Sequence, residues 1–432
     1  MINIEGVKRA IAEYMAMQFP NAIPRDIEID TSINKVIIIS GIRRSGKTFE
    51  IFNLIKEVQR KGVPRANILY VNFEDERFIG FEANDFDQLL DIYTSLSEPD
   101  KQYPIFLFMD EIQNVSGWDR LVRRLYDSYN FRIFLTGSSS KLLSYEISSA
   151  LAGRNLTYIM YPLSFKEFLK ARSVPLNTQF LYSNLGIIKK ELIEYLEYGG
   201  FPEIAVLESK DMKRKILSTY YDAIVFHDIV ERYRISNTNM LKMVLGYTLN
   251  SYSSNMSASR LYSYLKSLGL EVSKKTVNDY INYAESVFFI SMNFKYSKSF
   301  KKTHQSRKKL YLMDTGFSKL YKTSDDFGKL LENAVYIELL RRKESESIQI
   351  FYYEDNIEID FVLVRDLKIS EIIQVCVDLN IQNLDREVKP LKYIMDRLNL
   401  NSSTIITLEE QKIQTGDDRI KIVPFYKWAL GM

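Results

Sequence analysis

The chain has 432 residues, too many for one core of ordinary size, and its 46% apolar content can support two or three domains. Lys+Arg 58 against Asp+Glu 55 leaves a net charge of +3, so no chain-wide attraction for polyanions exists and any basic site must be local. One cysteine, Cys376, and two histidines, His227 and His304, leave no intramolecular disulfide and no zinc cluster to expect, and no apolar run approaches the ~20 residues of a membrane span. A cytoplasmic protein with no membrane partner is the expectation.

Residues 4–18 carry helical spacing, and Glu5, Lys8, Arg9 and Glu13 break up the apolar core that a signal peptide would need. Pro20, Pro24 and the acidic 26–30 stretch read as a connector. The stretch KVIIISGIRRSGKT at 35–48 then predicts a buried strand feeding a phosphate-binding loop, followed by a helix from Thr48 with no breaker before Gly62. Such a loop wraps a polyanion with backbone N–H groups, so it needs small residues where main chain meets phosphate, supplied by Gly41 and Gly46. Lys47 reaches the β- and γ-phosphates in this reading, and the Thr48 hydroxyl ligates Mg²⁺. Arg43, Arg44, Ser45 and Phe49 complete the nucleotide-binding set, the two arginines as a further source of positive charge. The plainer alternative is a glycine-rich turn that binds nothing.

A second strand is expected over 67–73 and a helix over 82–97. The apolar strand 104–109 ends in Asp110 and Glu111, as a buried parallel strand delivers acids at its carboxyl end. Asp110 is expected to hold Mg²⁺ and Glu111 to orient and deprotonate the attacking water. After a helix from Gly117, the strand 132–138 places Thr136 or Ser138 between these two landmarks, as a γ-phosphate sensor or simply a turn cap. A helix over 140–150 and a fifth strand over 155–160 follow, so strand–helix alternation over 35–161 predicts a doubly wound parallel sheet. Arg154, in the loop before that strand, is a candidate charge stabiliser acting in its own subunit or in a neighbour's.

These motifs, together with 161–168 (YPLSFKEF) and 198–202 (YGGFP), make the chain resemble a widespread prokaryotic AAA-type ATPase family. The resemblance implies an ATPase domain continuing into a helical segment, a winged-helix-like segment and a C-terminal domain of unknown function. It strengthens Arg154 as a sensor or finger. It also favours ATP over GTP, in line with the lack of an Asn-Lys-x-Asp guanine signature.

Residues 164–236 read as mostly helical, with His227 on an apolar helix as a packing or interface residue. From about 238 to 312 three helices and a hairpin suggest a winged helix. Lys274 and Lys275 open its third helix, and Lys298, Lys301, Lys302, Arg307, Lys308 and Lys309 lie in a segment with no acidic residue, interleaved with aromatics, as phosphate-backbone binding requires. A solvated loop or a protein-contact surface is the alternative. In the last hundred residues, Glu332, Asp360 and Gln374 sit in an order similar to the restriction-endonuclease-like fold. Cys376 stands where active members carry a lysine, so a non-cleaving domain is expected, with Lys389 the one residue that could reach back.

The expected architecture is therefore α/β: a P-loop NTPase parallel sheet with helices on both faces (1–163), a helical segment (164–236), a winged-helix-like domain (237–325) and a C-terminal α/β domain (326–432). The expected function is a Mg²⁺-dependent ATPase working as a switch or motor module, with duplex DNA, a protein partner or further copies of itself as partners. Two alternatives are a non-hydrolysing nucleotide-dependent scaffold and an ATP-regulated nuclease.

Overall fold

The computed structural model describes residues 3–128, 130–138, 151, 153–321 and 326–432; the helix expected over 140–150 lies outside them. The chain forms two compact units, Met1–Met160 and Tyr161–Met432.

In the first unit β1 (Val36–Ser40), β2 (Ile68–Asn72), β3 (Ile105–Asp110), β4 (Phe131–Gly137) and β5 (Asn155–Ile159) form one parallel sheet in the order β2-β3-β4-β1-β5. The apolar run of β1 has no polar side because both faces are covered. Val36 and Ile38 face a core with helices α1 (Ile4–Ala16), α3 (Phe86–Ser97) and α4 (Trp118–Ser128). Ile37 and Ile39 face the opposite core, filled by Ile51, Phe52, Leu54, Ile55 and Val58 of α2 (Lys47–Arg60). Strand alternation thus builds the expected two-faced sheet and leaves the carboxyl ends of β1, β4 and β3 side by side.

The second unit begins with helices that include α5 (Leu185–Tyr198) and α6 (Lys210–Ala223), followed by a π-helical turn at Ile224–Glu231. His227 is exposed there and bonds Glu231 one turn on, so it packs in no core. Next come α7 (Thr238–Asn250), β6 (Ser254–Met256), α8 (Ala258–Ser267), α9 (Lys274–Ser286), β7 (Ile290–Lys295) and β8 (Lys308–Leu312). Helix α10 (Phe327–Ser345), β9 (Gln349–Glu354), β10 (Glu358–Arg365), β11 (Lys368–Cys376), α11 (Leu384–Leu398), β12 (Ser403–Thr407) and β13 (Ile420–Pro424) complete it. All eight strands join one sheet, β13-β12-β11-β10-β9-β7-β8-β6, because Phe294 and Lys295 pair with Phe351 and Tyr352. The hairpin of 290–312 and the C-terminal strands are therefore continuous.

The YGGFP motif has a structural job within this unit. Asp314, just past β8, is buried and accepts the backbone N–H of Gly200 at 2.8 Å and of Gly316 at 2.9 Å. Leu163, from the YPLS motif, closes a backbone hydrogen bond to Gly200 at 2.6 Å. Three segments far apart in sequence meet there, and a Cβ at Gly199, Gly200 or Gly316 would fall inside a neighbour.

Burial pushes the Asp314 carboxyl up to about 7, against the N–H groups that favour its charge. A folded-state pKa above the unfolded one means that the native state holds a proton the unfolded chain has released between pH 4 and 7. This group's contribution to stability therefore falls as pH rises through that window, by about 4 kcal/mol at most. Urea unfolding of the wild type and of Asp314→Asn from pH 5 to 8 should show that slope in the wild type and lose it in the variant.

Candidate functional site: the carboxyl edge of the parallel sheet

Residues 41–48 leave β1 as a tight loop. Gly41 runs so close to the Met160 carbonyl that no side chain fits, and Gly46, with φ of +102°, ends the loop in a left-handed turn as the N-cap of α2. Lys47 is only 4% exposed and donates to the carbonyls of Gly41 (3.1 Å) and Ile42 (3.2 Å), folding back along the loop that would receive phosphate. Ser45 is buried, and its carbonyl accepts from Arg25 of the connector at 2.9 Å. Arg43 pairs with Glu74 at 2.8 Å beyond β2, Arg44 is exposed, and Phe49 is exposed with its ring edge-on to Phe52.

Strand β4 lies between β1 and β3, so Thr136 near its end stands between the loop and the acids. The Thr136 hydroxyl donates to Asp110 Oδ1 and accepts the Glu111 backbone N–H at 3.0 Å. Asp110 is also bound by the Tyr70 hydroxyl at 3.1 Å and by the side chain of Thr48. Burial, then the adjacent Glu111 charge, raises its pKa. Glu111 is 7% exposed, takes a left-handed φ of +52°, is held by the Gln113 amide and lies 3.8 Å from the Lys47 ammonium.

Lys47, Thr48, Asp110, Glu111 and Thr136 thus converge as expected. Tyr70, Gln113 and Arg25 went unforeseen, and only Gln113, two residues from Glu111, carried a hint in sequence. Among the described residues no group of three or more His, Cys, Asp or Glu side chains is placed to hold a metal alone. A hydroxyl beside one carboxylate suits Mg²⁺ that keeps its waters and takes its other ligands from phosphate.

Arg154 requires a correction. It precedes β5, and its carbonyl accepts the Val36 N–H at 2.8 Å, which puts it at the amino edge of the sheet. The loop leaves the carboxyl edge, a strand length of on the order of 16 Å away. The guanidinium pairs with Asp127 at 2.9 Å and lies over Tyr126, so within its own chain it does not reach the site.

The nucleic-acid candidates divide. Lys274 and Lys275 are exposed in the first turn of α9, and Lys298, Lys301, Lys302 and Arg307 are exposed on the β7–β8 connection or at its end. Lys308 sits 4.3 Å over the Phe294 ring. Lys309 is 3% exposed and ion-paired to three carboxylates, so it is corrected from a phosphate contact to an interior residue. Lys389 pairs with Asp385 on the outside of α11 and does not reach Asp360. Cys376 packs in the C-terminal core, where burial pushes its thiol up to about 12.

The two-faced sheet and its loop define a P-loop AAA-type domain. The AAA domain family matches residues 33–169, and two domains of unknown function match 189–325 and 327–428. An uncharacterized protein of Methanocaldococcus jannaschii, MJ1544, is 37% identical over 418 residues, covering 94% of this chain and 91% of the relative. An uncharacterized protein of Haemophilus influenzae is 33% identical over 404 residues, covering 93% and 95%. The chain belongs to the family of these AAA-domain proteins. Among solved structures, Cdc6p from Pyrobaculum aerophilum is similar at 10% identity and a TM-score of 0.29, covering 74% of this chain and 90% of that one, too slight a likeness to bear on function.

Proposed function

We propose that the first unit binds ATP with Mg²⁺ and hydrolyses it, as a nucleotide-driven switch or motor module. The observation that carries this is the convergence of Lys47, Thr48, Asp110, Glu111 and Thr136 on one sheet edge. Lys47 and the backbone of 41–48 bind the phosphates, Thr48 and Asp110 hold the Mg²⁺, and Mg²⁺ when bound offsets phosphate charge. Glu111 positions and deprotonates water, Thr136 holds Asp110 and Glu111 in register, and Arg154 has a role only toward a neighbouring copy.

The test is nucleotide binding by Lys47→Ala, which removes the ammonium that lies along the loop. MgATP affinity should fall by roughly 100-fold in a fluorescent-nucleotide titration. Unchanged binding would refute the assignment.

The second unit reads as a helical segment, a winged helix and a non-cleaving C-terminal domain, with duplex DNA as the partner. The supporting observation is the exposure of Lys274, Lys275, Lys298, Lys301, Lys302 and Arg307 on a helix start and a hairpin. Changing Lys298, Lys301, Lys302 and Arg307 together to Glu should weaken duplex binding at least about tenfold and flatten its salt dependence by roughly 0.9 per lost phosphate contact. Unaltered anisotropy titrations would point to a protein partner.

A further inference from the structure

Asp110 ends the apolar strand β3, which lies between β2 and β4, and each neighbour sends one hydroxyl to its carboxyl group. From β4 the Thr136 hydroxyl donates to Oδ1. From β2 the Tyr70 hydroxyl donates to Oδ2 at 3.1 Å. Tyr70 pairs in register with Phe108, so strand alternation puts Tyr70, Phe108 and Asp110 on one face of the sheet, and the phenol ring covers the two-residue step of about 7 Å from Phe108 to Asp110.

The rest of the Tyr70 side chain belongs to the apolar core on the α2 side of the sheet, and the residue is 3% exposed. Its ring is braced edge-on by Tyr14 of α1, with centroids 5.2 Å apart, by Phe52 of α2 at 5.4 Å and by Phe19, just before the connector, at 6.2 Å. Phenylalanine would fill that space, and a buried hydroxyl costs free energy unless it is bonded. Here the bond goes to Asp110. With one oxygen tied to β4 and the other to β2, the carboxyl group cannot turn about its Cβ–Cγ bond without losing one of the two. Each oxygen keeps a second lone pair, and the Thr48 side chain bonds Asp110 from the loop side.

We infer that Tyr70 is a positioning residue for the cation: its hydrogen bond to Oδ2 fixes the Asp110 carboxylate in the orientation in which, together with Thr48, it takes Mg²⁺. The inference rests on the reading of this edge as a MgATP site. Groups that orient a metal-ligating carboxylate set metal affinity almost as strongly as the ligands do. Tyr70 acts through Asp110, so its effect falls on the cation and not on the phosphate loop. Because Tyr14 and Phe19 brace its ring, the leading helix and the start of the connector form part of the scaffold of the cation site.

The test is binding of a fluorescent ATP analogue to the full-length protein, in EDTA and then over a series of free Mg²⁺ concentrations. In the wild type Mg²⁺ should tighten binding. Tyr70→Phe, which keeps the ring, should match the wild type in EDTA and need roughly tenfold more Mg²⁺ or above to reach half of its tightening. Tyr14→Phe is the control: it removes a neighbouring hydroxyl that donates to Asp75 at 2.7 Å and leaves its ring against Tyr70, so its Mg²⁺ midpoint should stay with the wild type. An unchanged midpoint in Tyr70→Phe would overturn the inference and leave the nucleotide site standing. An equal rise in Tyr14→Phe would overturn it too, since loosened packing would then explain both. Loss of binding by Tyr70→Phe in EDTA would place the residue in the fold rather than at the cation and would likewise end it. A wild type that binds no nucleotide, or binds it without regard to Mg²⁺, would overturn the reading of the site and the inference with it.

Discussion

Glu111→Gln is expected to bind MgATP within about threefold of the wild type and to turn it over roughly 10²–10⁴ times more slowly, the range for loss of a positioned general base. The substitution keeps the shape of the side chain and removes only its capacity to take a proton. What makes the position persuasive is how much holds it. Its backbone is left-handed at φ +52°, a conformation that costs a non-glycine residue on the order of 1 kcal/mol and survives only where surroundings impose it. Thr136 takes its N–H, Gln113 holds one carboxylate oxygen, and the Lys47 ammonium stands 3.8 Å from the other. Single-turnover hydrolysis alongside equilibrium binding separates the outcomes. Full turnover in the variant removes Glu111 from the reaction. Negligible turnover in the wild type favours the non-hydrolysing scaffold.

The parts of this site readable from sequence were those set by local chemistry. Gly41 and Gly46 are required by backbone geometry within a few residues, and the apolar β1 and β3 betray strands buried on both faces. The position of Thr136 followed once the strand order was assumed. Arg154 shows what motif reading leaves open: a residue preceding a parallel strand lies at the edge opposite the phosphate loop of its own chain, which sequence could not tell when it offered both its own subunit and a neighbour's. Lys308 and Lys309 illustrate a second limit. They are identical neighbours in a basic run, yet the period of two sends one onto Phe294 and the other among carboxylates supplied by residues 332, 358 and 360. Likewise, the two-residue pairing of β7 with β9 that joins hairpin and C-terminal strands is a long-range event with no local signature.

The same contrast governs the glycines of the second unit, where the largest stability effect is expected. Gly200→Ala places a methyl group inside the Leu163 carbonyl. That carbonyl cannot withdraw, because Leu163 N–H bonds Gly200 O at 2.6 Å and Tyr195 hydroxyl bonds Leu163 O at 3.1 Å. Moving Gly200 instead breaks its 2.8 Å bond to Asp314, leaving the buried carboxyl group short of a donor. Both escapes cost a buried hydrogen bond on top of the overlap, so a loss of about 4 kcal/mol or more is expected, at the extreme of single substitutions. Gly186 supplies the control: it lies in α5 with nothing within 4 Å of an added Cβ, so alanine there should be neutral or stabilise by up to about 1 kcal/mol. Urea denaturation of both variants decides the matter. A Gly200→Ala protein as stable as Gly186→Ala would mean that the three segments meeting at Asp314 can part without consequence, and that YGGFP serves something other than the fold.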